Sequence, residues 1–112
     1  MSIGDITDYC ILKDGVEECF PFGEDTLVFK VNGKIFLLLS LSADPLQFNV
    51  KCDPVRALQL REQFDCVLPG YHMNKKHWTT VILDGTLDRR AVRDMIDHSY
   101  ELVAGSKSRK GK

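Results

Sequence analysis

Apolar side chains recur along the chain with two different spacings, and the first region shows the helical one. Ile3, Ile6 and Cys10 fall on one face of a helix that a following Asp-Gly pair would stop. The spacing predicts a first helix over about residues 3–13. The next segment, 16–20, is short and precedes a proline and a glycine, which favours an edge strand.

A second region has the composition of paired strands. Two runs rich in β-branched and aromatic residues, 26–31 and 34–41, are separated only by Asn32-Gly33. Asn and Gly tolerate the positive φ angles of a tight two-residue turn, so residues 26–41 are predicted to form a β-hairpin. The middle of the second run is apolar on both faces, which indicates a central strand, and a further strand is predicted over 48–52.

The second half of the chain carries signals for two more helices and one more strand. Asp53 precedes a proline, a combination that starts helices, and the second helix is predicted over 54–64. A strand is predicted over 77–83, and a third helix is predicted from a cap at Asp88 to a stop at Gly105. The side chains expected to pack inward are some of Ala57, Leu58, Leu60 and Phe64 on the second helix, and Val92, Met95, Ile96, Ser99 and Val103 on the third.

The order of these elements is α-β(β)ββ-α-β-α, with hairpins linking the first strands. This order predicts an α+β fold in which a mostly antiparallel sheet carries helices packed on one face. A chain of 112 residues is too short for two cores of ordinary size, so we expect a single domain over residues 1–105. Residues 106–112 are predicted to be a disordered basic tail.

Composition points to a protein of the cytoplasm. No run approaches the roughly 18 apolar residues that a membrane span needs, and the first residues lack a basic and then apolar leader. The cysteines contain no Cys-x-x-Cys pair, which favours reduced, partly buried thiols over a disulfide or a zinc site. These cysteines are Cys10, Cys19, Cys52 and Cys66.

The distribution of charge is more informative than its total. A net charge of −1 does not by itself indicate a nucleic-acid-binding protein, which usually has a basic face. Residues 1–25 carry −6, residues 26–83 carry +3, residues 84–105 carry −2 and the tail carries +4. The chain therefore has an acidic beginning, a mildly basic middle and a basic end.

Residues 69–81 concentrate functional groups beside a predicted strand. As a nucleic-acid surface, Lys75 and Lys76 would contact phosphates, and Asn74 would bond a phosphate or a base edge. Tyr71 or Trp78 would stack on a base. The segment also fits a structural corner in which the tryptophan is buried, the asparagine caps a turn and the lysines are solvated.

Catalytic and metal-binding patterns are weak or missing. His72 and His77 lie five positions apart with no third ligand at a fixed spacing, which does not favour a metal site. The sequence has no nucleophile elbow, phosphate-binding loop, dinucleotide fingerprint or zinc-protease motif. We therefore expect a protein that is not an enzyme and uses no cofactor.

Several segments, taken together and in order, are characteristic of one family. The chain resembles the MmcQ/YjbR family over roughly residues 6–103. The resemblance implies a frataxin/CyaY-like two-layer sandwich, also described as a double-wing arrangement, with an inferred DNA-binding role in bacteria and no catalytic residues. The matching segments are Phe29-Lys-Val, Gly33-Lys-x-Phe36, Asn49-x-Lys-Cys-Asp-Pro54, Pro69-Gly-Tyr-His-Met-Asn-Lys-Lys-His-Trp78, Asp84-Gly85 and Ser99-Tyr-x-Leu-Val103.

The expectation that follows is a monomeric, non-enzymatic protein that binds duplex or single-stranded DNA through the hairpin, the 71–78 segment and the tail. One alternative is a protein-interaction or adaptor module that uses the same surface. Another is a frataxin-like protein that binds cations through Asp5, Asp8, Glu17 and Glu18. The candidate binding residues are Tyr71, His72, Asn74, Lys75, Lys76, His77, Trp78, Lys30, Lys34 and Lys51.

Overall fold

A computed structural model describes residues 1–70, 74 and 76–105. It contains three helices and six strands, in an order close to the predicted one. The predicted basic tail, 106–112, lies outside the described residues. The elements are α1 Ile3–Ile11, β1 Val16–Cys19, β2 Thr26–Val31, β3 Lys34–Ser40, β4 Gln47–Lys51, α2 Pro54–Gln63, β5 Val67–Pro69, β6 Trp78–Ile82 and α3 Arg89–Ala104.

Each helix begins at a side chain that accepts a hydrogen bond from the first turn. At α1, Ser2 and Asp5 form a reciprocal capping box. The backbone N–H of Asp5 donates a hydrogen bond to the Ser2 hydroxyl at 3.1 Å, and the backbone N–H of Ser2 donates one to the Asp5 carboxylate at 2.9 Å. Asp53 caps α2 ahead of a proline, and Asp88 caps α3. The starts predicted for α2 and α3 are therefore confirmed. Helix α1 ends two residues before its predicted end.

The strands form one antiparallel sheet in the order β1-β2-β3-β4-β6-β5. The predicted hairpin turns at Asn32 and Gly33, whose φ angles are 54° and 76°, and β3 lies inside the sheet as predicted. Strand β5 was not predicted. It is only three residues long and ends at Pro69, which an edge strand tolerates because its outer N–H groups need no partner.

One face of the sheet, here called the covered face, lies against the helices. Buried residues of α1 and α3 complete its core, and the inward face predicted for α3 is confirmed. Of the residues predicted to pack inward from the second helix, Ala57 is buried, and Leu60 and Phe64 are partly buried against the core. Leu58 is 59% exposed, because it lies on the other side of α2. The buried strand residues of the covered face are Leu27, Phe29, Val31, Phe36, Leu37, Leu39, Phe48, Val50, Val67, Thr79 and Val81.

Ser99 fastens α3 to the sheet between β3 and β4. This buried hydroxyl donates a hydrogen bond to the Phe36 carbonyl and accepts one from the Lys51 N–H at 2.9 Å. The adjacent pairing of β2 with β3 contains a bulge at Phe29/Lys30. The Ser99 hydroxyl therefore provides hydrogen-bond partners for two backbone groups just beyond the point where the pairing of β3 with β4 ends.

The composition predicts reduced, partly buried cysteines and no membrane-spanning segment. The cysteines are free thiols, three of them buried and Cys19 half-buried, as predicted. Within the described ranges, no helix is long and apolar enough to cross a membrane.

Candidate nucleic-acid interface

The strand residues that alternate with the covered face form a second surface, here called the outer face. Successive side chains of a strand point to opposite sides of the sheet, and the described helices pack on the covered face. Most outer-face residues are half-buried, whereas Val28 is fully buried and Glu17 is exposed. They are Glu17, Cys19, Thr26, Val28, Lys30, Ile35, Leu38, Ser40, Gln47, Asn49, Lys51, Leu68, Trp78, Thr80 and Ile82.

Lys51 and Trp78 are direct cross-strand partners on the outer face. Such partners have Cβ atoms about 4.5–5.5 Å apart, so the ammonium group and the indole belong to one small area. Lys30 of β2 lies two strands away from Lys51 of β4, a distance of roughly 10 Å at the spacing of neighbouring strands. The cross-strand partner of Lys30 on β1 is Glu17. Thus two of the predicted lysines and Trp78, one of the two predicted aromatic residues, share one end of one face.

Trp78 is anchored by its backbone, while its side chain lies outside the main core. Its carbonyl accepts hydrogen bonds from the N–H of Gly70 at 3.0 Å and from the Arg61 guanidinium at 3.2 Å. A Cβ at Gly70 would lie 3.0 Å from the Trp78 carbonyl oxygen, so a side chain there would push the two segments apart. The half-buried indole is not among the side chains packed on the described core. The interpretation of Trp78 as a core residue is therefore not supported.

Asn74 organises the turn that leads into β6. Its carbonyl accepts hydrogen bonds from the N–H groups of His77 and Trp78, and its side-chain oxygen accepts one from the Lys76 N–H at 3.0 Å. The capping role that formed part of the structural-corner interpretation is confirmed for this asparagine. The turn leaves Lys76 exposed, and the His77 carbonyl accepts the N–H of Cys52 at 2.7 Å.

The remaining predicted residues are not all part of this area. Lys34 pairs with Val31, whose side chain belongs to the buried core, so Lys34 lies on the helix side of the sheet. The structure does not place Lys34 on the outer face with Lys30 and Lys51, because the bulge changes the register near the turn. Tyr71, His72 and Lys75 lie outside the described residues.

The acidic residues considered as a cation site are not brought together. Adjacent positions on β1 place Glu17 and Glu18 on opposite faces of the sheet. The Asp5 carboxylate serves the α1 cap and lies 3.9 Å from Arg89, and its hydrogen bonds with Ser2 lower its pKa. In the part of the chain that the structure describes, no cluster of three or more histidine, cysteine or carboxylate side chains could hold a metal ion.

The charges of the sheet are strongly unequal. Within the described strands, the carboxylates are Glu17 and Glu18, and both lie in the edge strand β1. From β2 to β5 across the sheet, the charged residues of the outer face are Lys30 and Lys51. Lys30 has Glu17 as its cross-strand neighbour on β1, whereas Lys51 has no acidic partner in the described strands. This arrangement favours an anionic ligand over a cationic one.

A histidine on α3 supports the end of β4 beside this area. His98 Nε2 accepts a hydrogen bond from the Asp53 N–H at 3.1 Å, one residue away from the Ser99 contact with Lys51. Burial lowers the pKa of His98, and the nearby Arg56 guanidinium lowers it further. The neutral imidazole therefore holds the start of α2 against α3.

Asn49, Thr80 and Leu38 were not predicted as part of the surface. They lie in one row across the middle of the outer face, where Thr80 donates a hydrogen bond to the Asn49 side chain. The polar residues at alternate positions of β4 could have revealed this face, since a strand with one exposed side alternates in this way. Arg61 was also missed, because its contact with Trp78 joins distant segments.

A family model and several relatives match this chain. The model described as YjbR matches residues 12–102. The uncharacterized protein YbdF of Escherichia coli O157:H7 is 42% identical over 88 residues, which cover 79% of this chain and 72% of that protein. The uncharacterized protein YjbR of Escherichia coli K12 is 32% identical over 101 residues, covering 90% of this chain and 86% of that protein.

Experimental structures of similar proteins have the same fold. A crystal structure of a Deinococcus radiodurans protein with a DUF419 domain is similar with a TM-score of 0.89 and 36% identity, covering 98% of this chain and 86% of that chain. A Pseudomonas syringae protein gives a TM-score of 0.79 at 28% identity, covering 92% of this chain and 99% of that chain. The α+β architecture and its antiparallel sheet are thus shared with solved structures.

Proposed function

We propose that this chain, which belongs to the YjbR family and whose described helices pack on one face of the sheet, is a non-enzymatic protein that binds nucleic acid through its outer face. The observation that carries the proposal is the pairing of Lys51 with Trp78 on that face. A lysine for phosphate and an aromatic ring for a base are the two groups that such surfaces combine.

The electrostatics of the sheet support a polyanionic ligand despite the net charge of −1. The acidic side chains of the strands are confined to β1, while Lys30 and Lys51 lie nearer the centre and Lys76 is exposed in the turn before β6. A local basic surface can attract phosphates even when the whole chain is slightly acidic. A cytoplasmic location belongs to the same proposal, and the free cysteines support it.

A protein-interaction module is the second candidate, and a specific feature favours it. Phe20 and Phe22 are 51% and 63% exposed in the loop after β1. Exposed aromatic side chains are common at protein interfaces. They lie beyond the end of β1 that is far from the Lys51–Trp78 pair, so the two candidate functions use different parts of the surface.

The test is a titration of the purified chain with nucleic acid at two salt concentrations. The double variant Lys30→Gln/Lys51→Gln should keep its unfolding free energy within about 0.5 kcal/mol, the usual scale for surface changes. Its binding should weaken severalfold, and the slope of log affinity against log salt should flatten by about 1.5 because two phosphate contacts are lost.

Lys34→Gln is the matched control, since it removes one lysine from the other side of the sheet. It should leave both the affinity and the salt slope close to those of the parent. Equal binding of nucleic acid by the parent and the double variant at low salt would show that the outer face is not the binding surface. The exposed Phe20 and Phe22 would then make protein binding the better hypothesis.

A further inference from the structure

The width of the outer face bears on the kind of nucleic acid that it can contact. Six strands separated by about 4.8 Å span roughly 24 Å from β1 to β5. The major groove of B-form DNA is only about 12 Å wide and admits one helix or a two-stranded ribbon. A sheet of this width cannot enter the major groove face-on, so the outer face does not reach the base edges that a duplex presents there.

The β2–β3 hairpin is also unsuited to entering a groove. Its tip is held against the helical layer, because the side-chain amide of Asn32 donates a hydrogen bond to the Ala104 carbonyl at 3.3 Å. Lys34, beside the turn, lies on the helix side and not on the outer face. The hairpin therefore does not project as a basic ribbon.

Trp78 has the placement of a stacking platform. Its indole is half-buried on the outer face, and the Gly70 and Arg61 contacts hold the backbone behind it. A tryptophan can stack on a base only when that base is free of its neighbours, as in a single strand. Sheet surfaces with exposed aromatic residues bind single strands in unrelated folds.

From these features, and resting on the proposed function, we infer that the ligand is single-stranded nucleic acid lying across the strands, with one base stacked on Trp78 and phosphates near Lys51 and Lys30. Lys51 is the direct neighbour of the indole, and Lys30 follows two strands further along the same end of the sheet. Together with the exposed Lys76, three lysines would contact phosphates, which predicts a salt slope of about −2 for a single strand.

The chain's single tryptophan makes the test direct. Trp78 fluorescence of the unmodified chain is measured during titration with three oligonucleotides of about 12 nucleotides, a length within the range of site sizes of single-strand binders. The three are oligo(dT), oligo(U) and a DNA duplex of mixed sequence. The single strands should quench the emission and bind about tenfold or more tightly than the duplex. The relative affinities for dT and U then separate a DNA ligand from an RNA ligand.

Three variants sharpen the result. Trp78→Leu should lose about tenfold in affinity for the single strand, and Trp78→Phe should recover most of it because a ring is retained. Phe22→Leu, which removes an exposed aromatic residue at the far end of the sheet, should bind like the parent.

The failures of this inference and of the proposed function are distinguishable. Duplex binding as tight as single-strand binding would overturn the inference and leave nucleic-acid binding in place. Single-strand binding without any change in Trp78 emission would overturn the stacking role. Absence of binding to every oligonucleotide at low salt would overturn both.

Discussion

The two faces of the sheet are built from the same strands and differ in almost every physical property. In β4, Phe48 and Val50 are buried against the helices, whereas Gln47, Asn49 and Lys51 alternate with them and remain half-buried. The covered face is mainly apolar, with Thr79 and Lys34 as polar exceptions. The outer face mixes apolar side chains such as Ile35 and Leu38 with polar groups and the two lysines. Neighbouring residues of one strand therefore have separate roles, one stabilising the fold and the other available to a ligand.

The largest expected effect comes from the covered face. Phe48→Ala should lower the unfolding free energy by about 3–5 kcal/mol, because it leaves a cavity in a fully buried site. Asn49→Ala, one residue along on the outer face, should cost far less. Denaturant unfolding of both variants measures the difference, and a loss at Asn49 as large as that at Phe48 would show that the outer face is also core.

A smaller effect is expected at the contact that holds α3 to the sheet. Ser99→Ala should cost about 1–3 kcal/mol, because the Phe36 carbonyl and the Lys51 N–H lose a buried hydrogen-bond partner. Ser40→Ala is the control, since this half-buried serine lies on the outer face. Thermal unfolding in which both variants behave alike would contradict the structural role of Ser99.

The pH dependence of stability tests the His98 contact. The pKa of His98 is lowered in the folded chain. The stabilisation that the neutral imidazole contributes is therefore complete at pH values above the unfolded pKa of about 6.5. It is lost as the pH falls through the lower pKa of the folded chain. His98→Gln keeps an oxygen that can accept the Asp53 N–H but does not titrate. Its unfolding free energy should fall less between pH 7 and pH 5 than that of the parent, and identical profiles would exclude His98 as the cause.

The smallest expected effect concerns the one acidic residue of the outer face. Glu17 is paired with Lys30, and its carboxylate would repel a bound phosphate. Glu17→Gln should strengthen nucleic-acid binding by about twofold, the scale of exposed charge interactions. Glu18→Gln, on the opposite face of β1, provides the comparison, and an equal gain in both variants would indicate a general charge effect.

The sequence predicted the elements better than it predicted which side chains meet. The caps at Asp53 and Asp88 and the Asn32-Gly33 turn are local signals, and each fixes the start or turn of an element. The position of Lys34 depends on a bulge, which follows from how β2 and β3 pair and not from their composition. The contact between Arg61 and Trp78 joins residues 17 positions apart, so no local pattern announces it.

The candidate surface was therefore only partly foreseeable. Trp78 and Lys51 were singled out for their chemistry, but their pairing depends on β4 lying beside β6. The alternation in β4 indicates that one side is exposed, yet a one-residue shift in register would exchange the two faces. The three-residue strand β5 is too short to give a periodic signal.

We propose that the outer face, and not the helical layer, contacts nucleic acid. The most direct test is methyl NMR of leucines during titration with a single-stranded oligonucleotide, because adjacent leucines of β3 point to opposite faces. The methyl signals of Leu38 and Leu68, on the outer face, should shift, while those of Leu37 and Leu39 on the covered face should change much less. Shifts confined to helix methyl groups, such as those of Leu58, with Leu38 and Leu68 unmoved, would contradict the claim.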